Sequence, residues 1–332
     1  MNKLTGYLGT YASPESLGIY RFSLDLKDGS LSRPELYYNA PDCKYLSLDG
    51  TMLAAPENKG GLAGVCLLDI SAKEPVLIGE AFHETAPACY VTQDCGHLYT
   101  ANYHEGSVLV YDRSPEGIKL AKRIHIAPKA GCHQILFHGR IMMVPCLLHY
   151  MLVPCLLLDS VKIYDCDRDY SLVGELTFPK GTGPRHGIFD PFHHRLFLVS
   201  ELSNQVFLYQ AGETAPREVY SILPQGAVYH EPPASAAVRL SPDGRFLYVS
   251  TRFADLITVY SIDGSGLHQI QQAGCGGVHP RDIILTPDGR YLLSVNRTRG
   301  GLVCFGLDPE SGRILGLCSR VPAPEAVSVV LA

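Results

Sequence analysis

Ser241-Pro-Asp-Gly-Arg-Phe-Leu-Tyr-Val-Ser-Thr-Arg-Phe-Ala-Asp-Leu-Ile-Thr-Val-Tyr-Ser-Ile-Asp263 is the stretch that settles the architecture. Its Pro-Asp-Gly is a turn with a mechanism: proline presets φ, aspartate bonds back to the chain, and glycine takes the positive φ. An alternating apolar strand follows, then a polar turn, then a β-branched strand ending at Tyr260. The unit recurs. Thr286-Pro-Asp-Gly-Arg-Tyr-Leu-Leu-Ser-Val-Asn296 repeats it and closes on Phe305. Gly181-Thr-Gly-Pro-Arg-His186 opens an earlier copy that passes through Ser200-Glu-Leu-Ser-Asn204 and ends at Tyr209. Three more copies end at Tyr111, at Tyr164 and, in degenerate form, near Leu67. The stretch from Gly6 to Phe22 lacks the first strand of the unit.

The strand-end aromatics Tyr111, Tyr164, Tyr209, Tyr260 and Phe305 are separated by 53, 45, 51 and 45 residues. A period of about 40 to 50 residues is that of a four-stranded propeller blade. With Tyr20 and Leu67 as the first anchors there are seven copies, which predicts an all-β, seven-bladed β-propeller over residues 1–332 as a single domain. Ala326-Val-Ser-Val-Val-Leu331 is an orphan strand at the C-terminus. It is expected to supply the inner strand that the first copy lacks, so that N- and C-terminal strands share one blade and no sheet edge stays open. The aromatics themselves are read as outer-strand packing residues.

Val144-Pro-Cys-Leu-Leu148 recurs nine residues later as Val153-Pro-Cys-Leu-Leu157. Removing nine residues brings the 53-residue spacing down to 44, in line with the neighbouring copies. We read this as a tandem duplication within the fourth blade.

Bulk properties narrow the function. The net charge of −5 argues against nucleic acid as the main partner. The most apolar region, residues 141–158, is interrupted by Pro145, His149, Tyr150 and Pro154, a poor membrane span. No apolar N-terminal run with a basic flank is seen, so a cytoplasmic location is expected. The eleven cysteines form no Cys-x-x-Cys pair and mostly sit in apolar strands, as small buried hydrophobes in a reducing compartment do. No zinc-ligand spacing is present. A monomer or weak homodimer is expected.

In a propeller the innermost strands line a central channel. Polar residues at the start of those strands, or at the end of the second strands, therefore converge. Gly131-Cys-His-Gln134, Gly183-Pro-Arg-His186, Ala236-Ala-Val-Arg239 and Val278-His-Pro-Arg-Asp282 stand at the first position. Asn102, Glu201, Arg252 and Asn296 stand at the second. The convergent set is His133, Arg185, His186, Glu201, Arg252 and Arg281. Several cations, one carboxylate and imidazoles around one cavity suit a small anionic, oxygen-rich ligand: arginine binds carboxylate or phosphate with two donors, and histidine can move a proton near neutral pH. Each of these residues has a bland alternative, capping a turn or bonding a neighbouring blade, and for Asn102 and Asn296 inter-blade backbone is the alternative. His97, His104, His193 and His194 occupy turns and are read as solvated.

With those motifs in view the chain resembles the seven-bladed propeller lactonase family, which contains bacterial propeller-type 6-phosphogluconolactonases and fungal carboxy-muconate lactonizing enzymes. The resemblance spans almost the whole chain. It rests on Leu98-Tyr-Thr-Ala-Asn102 with Gly106-Ser-Val-Leu-Val-Tyr111, on Gly131-Cys-His133, Gly181-Thr-Gly-Pro-Arg-His186 and Ser200-Glu-Leu-Ser-Asn204, and on the Ser241 repeat. It implies that His133, Glu201, Arg185 and Arg252 are catalytic; from their places in the repeat, His186, Arg281, Asn102 and Asn296 are expected to bind substrate. The implied reaction is hydrolysis of 6-phospho-glucono-1,5-lactone in the pentose phosphate route, with no cofactor and no metal. Either His133 or Glu201 is the base. A muconate-type cycloisomerase wants the same anion clamp and one acid or base. A non-enzymatic interaction scaffold would leave the channel cluster without a role.

Overall fold

The computed structural model describes residues 2–138 and 149–332, which form seven four-stranded antiparallel sheets. Six blades follow chain order from the channel outward. Blade two runs from Ser47–Asp49 to Val76–Glu84, blade three from Tyr90–Asp94 to Gly117–His125, and blade four from Leu136–His138 to Ser171–Thr177. Blade five runs from Pro184–Asp190 to Glu218–Ser221, blade six from Ala234–Leu240 to Gly266–Gly274, and blade seven from Val278–Leu285 to Ile314–Val321. Blade one is the exception. Its innermost strand is Ala326–Leu331, paired to Lys3–Thr10 through Gly6 opposite Leu331 and Leu8 opposite Val329. The orphan strand closes the ring as expected.

The burial pattern follows from stacking. A second strand lies between two neighbouring blades, so both of its faces are covered. Arg195–Ser200 and Phe246–Arg252 are buried at every position. Outermost strands cover one face only, and Ile314–Val321 is mostly open. The described residues form seven apolar clusters, one at each junction of adjacent blades. The repeat aromatics Tyr111, Tyr164, Tyr209, Tyr260 and Phe305 are buried in them, on the third strands, as packing residues. Eight of the ten described cysteines are buried or half-buried, and all ten are free thiols. No described helix is long and apolar enough to cross a membrane.

The duplication resolves in part. Its second copy supplies the end of blade four's second strand, Tyr150–Cys155, and the 3-10 turn Leu156–Leu158. The copy that fills the repeat unit is thus the later one. The earlier copy, Val144-Pro-Cys-Leu-Leu148, lies outside the described residues.

One backbone device shapes the channel. Near the start of an innermost strand, the residue at one position has left-handed φ in five blades: Asp42 (62°), Gly131 (71°), Gly183 (63°), His279 (66°) and Glu325 (57°). At Gly183 a Cβ would also meet Leu202 Cγ at 2.7 Å, so this turn needs glycine on two counts. Two residues later, in blades five and seven, the strand carries a bulge, at Arg185 and at Arg281. A bulge inserts a residue outside the ladder and re-aims its side chain. His133 in blade four and Lys44 in blade two follow their left-handed residues at the same distance.

Candidate active site

Arg185 at the bulge of blade five and His133 at the equivalent position of blade four, each two residues after a left-handed glycine, reach one mouth of the channel. Glu201 meets them from the first residue after blade five's second strand, and Arg252 from the matching place in blade six. Glu201 Oε2 accepts a hydrogen bond from Arg185 Nε at 2.8 Å. The same oxygen lies 2.8 Å from Arg252 Nη2, an ion-pair contact that is not aligned as a hydrogen bond. Arg185 Nη1 is anchored on the Ala236 carbonyl at 2.6 Å and Arg252 Nε on the Ala234 carbonyl at 3.2 Å. Both guanidiniums are thus held in place by blade six and by one carboxylate between them.

The electrostatics follow from burial and from this excess of cations. Burial pulls the Arg185 pKa down to about 10. Burial works to raise the Glu201 carboxyl, but Arg185 and Arg252 outweigh it, and its pKa falls below the ordinary carboxylate value. His133 is buried and faces Arg185, Arg281 and Arg252, and these together hold its imidazole well below the usual pKa. It is neutral at pH 7. Its Nδ1 has no hydrogen-bond partner among the described residues. Tyr103 stands edge-on to it, with ring centroids 6.0 Å apart.

His186 lies one residue further along its strand. Its ring is 5.1 Å from that of His133 and stands edge-on to Tyr45 and Tyr90. Neither ring nitrogen is paired among the described residues, and burial with the nearby Arg185 keeps it neutral. Arg281 completes the group from blade seven. Its charge acts on His133, Arg185, Glu201 and Arg252 alike, and its Nη2 donates to Tyr11 Oη at 3.0 Å. Six of the eight expected site residues therefore converge.

Asn102 and Asn296 do not join them. Both are fully buried between blades. The Asn102 amide donates to Glu84 Oε1 and to the Ala86 carbonyl and accepts from the His104 and Glu105 backbone. Asn296 donates to the Cys275 and Gly301 carbonyls. Strand alternation is the cause: successive side chains point to opposite faces, and the channel-facing residue is the next one. That places Tyr103 and Arg297 at the mouth instead. The signal was present in the repeat, because Arg252 and Arg297 stand at the same offset from their Pro-Asp-Gly turns. Tyr11, after Lys3–Thr10, holds the same place in blade one. Of the turn histidines, His193 is exposed on Asp190 at 3.0 Å, while His97 lies on a strand, 3.1 Å from Asp112.

Among the described residues, metal-donor atoms do not gather at this mouth. Among the described residues the one such grouping is Asp94, Cys95 and His149, whose donor atoms lie within 4.8 Å of one another. It sits at the far end of blade three's innermost strand, away from the arginines.

Residues 5–331 match the family model described as lactonase, seven-bladed β-propeller. The 6-phosphogluconolactonase of Bacillus subtilis is 29% identical over 345 residues, covering 99% of this chain and 98% of that protein. A crystal structure of a Lactobacillus plantarum protein superposes with a TM-score of 0.88 at 26% identity over 99% of both chains. The periplasmic gluconolactonase PpgL of Pseudomonas aeruginosa shares the fold at TM-score 0.88 and 22% identity, again over 99% of both chains. A match along nearly the whole chain, on a ring of seven blades with an arginine-rich channel mouth, makes this protein a member of the lactonase seven-bladed β-propeller family.

Proposed function

We propose that the protein hydrolyses 6-phospho-glucono-1,5-lactone to 6-phosphogluconate, with His133 as the base. The observation that carries this reading is a neutral, buried imidazole beside two guanidiniums that share one carboxylate. Two cations and one carboxylate leave one positive charge, the complement of the oxyanion that forms when a lactone carbonyl is attacked.

The pKa directions separate the two candidate bases. Glu201 is ion-paired through Oε2 to Arg185 and Arg252, so two cations stabilise its charged form and its basicity is reduced. His133 is unprotonated at pH 7 and not committed to a carboxylate. It takes a proton from water as the water oxygen bonds to the lactone carbonyl carbon. Arg185 and Arg252 stabilise the resulting oxyanion, and Glu201 fixes their spacing. Collapse breaks the bond to the ring oxygen, and the imidazolium returns its proton to that oxygen. The acid product ionises in water.

The test is a lactonase assay in which the lactone is generated in situ from glucose 6-phosphate and its decay is followed against buffer, because the ring also opens spontaneously. Acceleration that is lost in His133→Ala supports the reading. Acceleration that His133→Ala retains removes His133 as the base. No acceleration by folded protein removes the substrate.

A further inference from the structure

A second cluster of cations lies beside the reaction group, around Tyr11. Arg297 stacks its guanidinium on the Tyr11 ring, with Cζ 4.3 Å from the centroid. Arg281 lies 5.7 Å from the same ring and bonds its hydroxyl, and Lys44 Nζ lies 5.5 Å from it. All four side chains are half-buried. They arrive from three blades at equivalent places: Lys44 and Arg281 from the starts of innermost strands, Tyr11 and Arg297 from the ends of second strands.

Charge accounting separates this cluster from its neighbour. Glu201 is occupied by Arg185 and Arg252. Glu325 accepts from Arg297 Nε at 2.8 Å, which holds the guanidinium against the ring. Among the described residues no carboxylate contacts Lys44 or Arg281. Three cations and one carboxylate leave two positive charges on one half-open ledge. Such an arrangement is costly unless something anionic neutralises it. A phosphomonoester carries about −1.5 to −2 charge near pH 7 with three acceptor oxygens, and Lys and Arg donors are its usual partners.

We propose that Tyr11, Lys44, Arg281 and Arg297 form a phosphomonoester subsite that makes the enzyme prefer phosphorylated over unphosphorylated sugar lactones. The assignment rests on the lactonase reading for its kinetic consequence, though not for the anion site itself. In a 6-phosphorylated lactone the phosphate hangs from the carbon beside the one that bears the ring oxygen. An anchor next to Arg185 and Arg252 therefore also orients the leaving oxygen toward His133. Arg281 faces both clusters and ties the two subsites together.

The experiment has two arms on the intact protein. The first compares kcat/KM on 6-phosphogluconolactone and on glucono-1,5-lactone for wild type, Lys44→Met, Lys44→Arg and Arg297→Met. The expected result is a preference for the phosphorylated substrate that falls about tenfold or more in each Met variant, the weight of a charged hydrogen bond, and that Lys44→Arg largely restores. Equal losses on both lactones, or a wild type without preference, overturn the subsite while leaving the lactonase reading in place. The second arm measures binding of inorganic phosphate and of 6-phosphogluconate against gluconate by calorimetry. Phosphate binding that is lost in Lys44→Met supports the subsite even if neither lactone is turned over. Phosphate affinity unchanged by both Met substitutions overturns it.

Discussion

Glu201 and Asp282 are carboxylates on arginine in the same channel, one half-buried and one buried, and they do opposite jobs. Asp282 stands in blade seven one residue beyond Arg281. Its Oδ1 accepts from Arg239 Nη2 at 2.7 Å and from the Ile283 N–H at 2.9 Å, and its Oδ2 accepts from the Val329 N–H at 3.2 Å. One cation meets one anion, both oxygens are engaged, and the bonds join blades six and seven to the strand that closes the ring. Glu201 faces two guanidiniums with one oxygen, and no donor reaches its Oε1 among the described residues. A balanced, saturated pair is a staple. An unbalanced, unsaturated one keeps charge in reserve for a ligand. Stoichiometry and hydrogen-bond completeness tell them apart, and exposure agrees: the Asp282 side chain is 3% exposed and that of Glu201 19%.

That contrast can be broken at several points. The largest effect is expected at the reaction group: His133→Ala lowers kcat/KM by about 10²- to 10⁴-fold, the usual weight of a general base, while the unfolding midpoint in denaturant stays near wild type. A large loss of stability in that variant would instead make His133 a packing residue. Asp282→Ala strands Arg239 in the interior and is expected to cost about 3–5 kcal/mol of stability, measured by urea unfolding. The double substitution Arg239→Met with Asp282→Leu recovers most of that loss if the pair is a staple. Glu201→Gln should cost less than half as much stability as Asp282→Ala, because its cluster opens on water at the mouth, yet reduce turnover more; the reverse ranking would erase the distinction.

Two smaller effects sharpen it. Asn102→Ala removes a buried amide and leaves Glu84 and the Ala86 carbonyl short of a donor, a loss of about 1–3 kcal/mol. Its KM should shift less than that of Arg297→Ala, and a larger shift would return Asn102 to the binding surface. The pH profile gives the last test. His133 must be neutral to act, and burial with three arginines depresses its pKa in the folded protein. The acidic limb of kcat/KM should therefore lie below about pH 6.5, the ordinary imidazole value. Folding stability from this group is full above that value and declines as pH falls, because the unfolded chain binds the proton first. An acidic limb at or above pH 6.5 would contradict the neutral buried imidazole.

Much of the molecule was legible before any coordinates. The Pro-Asp-Gly turns and the aromatic spacing specify strands of fixed length at a fixed period, and that period allows few closures other than a ring of blades. The orphan strand at residues 326–331 could be matched to the blade that lacked one. His133, Arg185, Glu201 and Arg252 stood out because they interrupt the repeat at corresponding places. What the repeat did not yield was the face on which a given side chain lies. Asn296 and Arg297 are neighbours in the chain, and one bonds backbone between blades while the other rests on Tyr11 at the mouth.

Turn chemistry, strand period and hydrophobic alternation are local, so the chain alone determined the seven blades, the order in which they follow and the closure of the ring. Which charges meet was decided only in the tertiary structure. Tyr11, Lys44, Arg281 and Arg297 are spread over most of the chain, and Glu201 and Asp282 have the same chemistry in sequence. Ring closure sets their distances, and left-handed residues and bulges at the starts of the inner strands set their directions. Electrostatic partnership depends on those distances and directions, which no local pattern encodes.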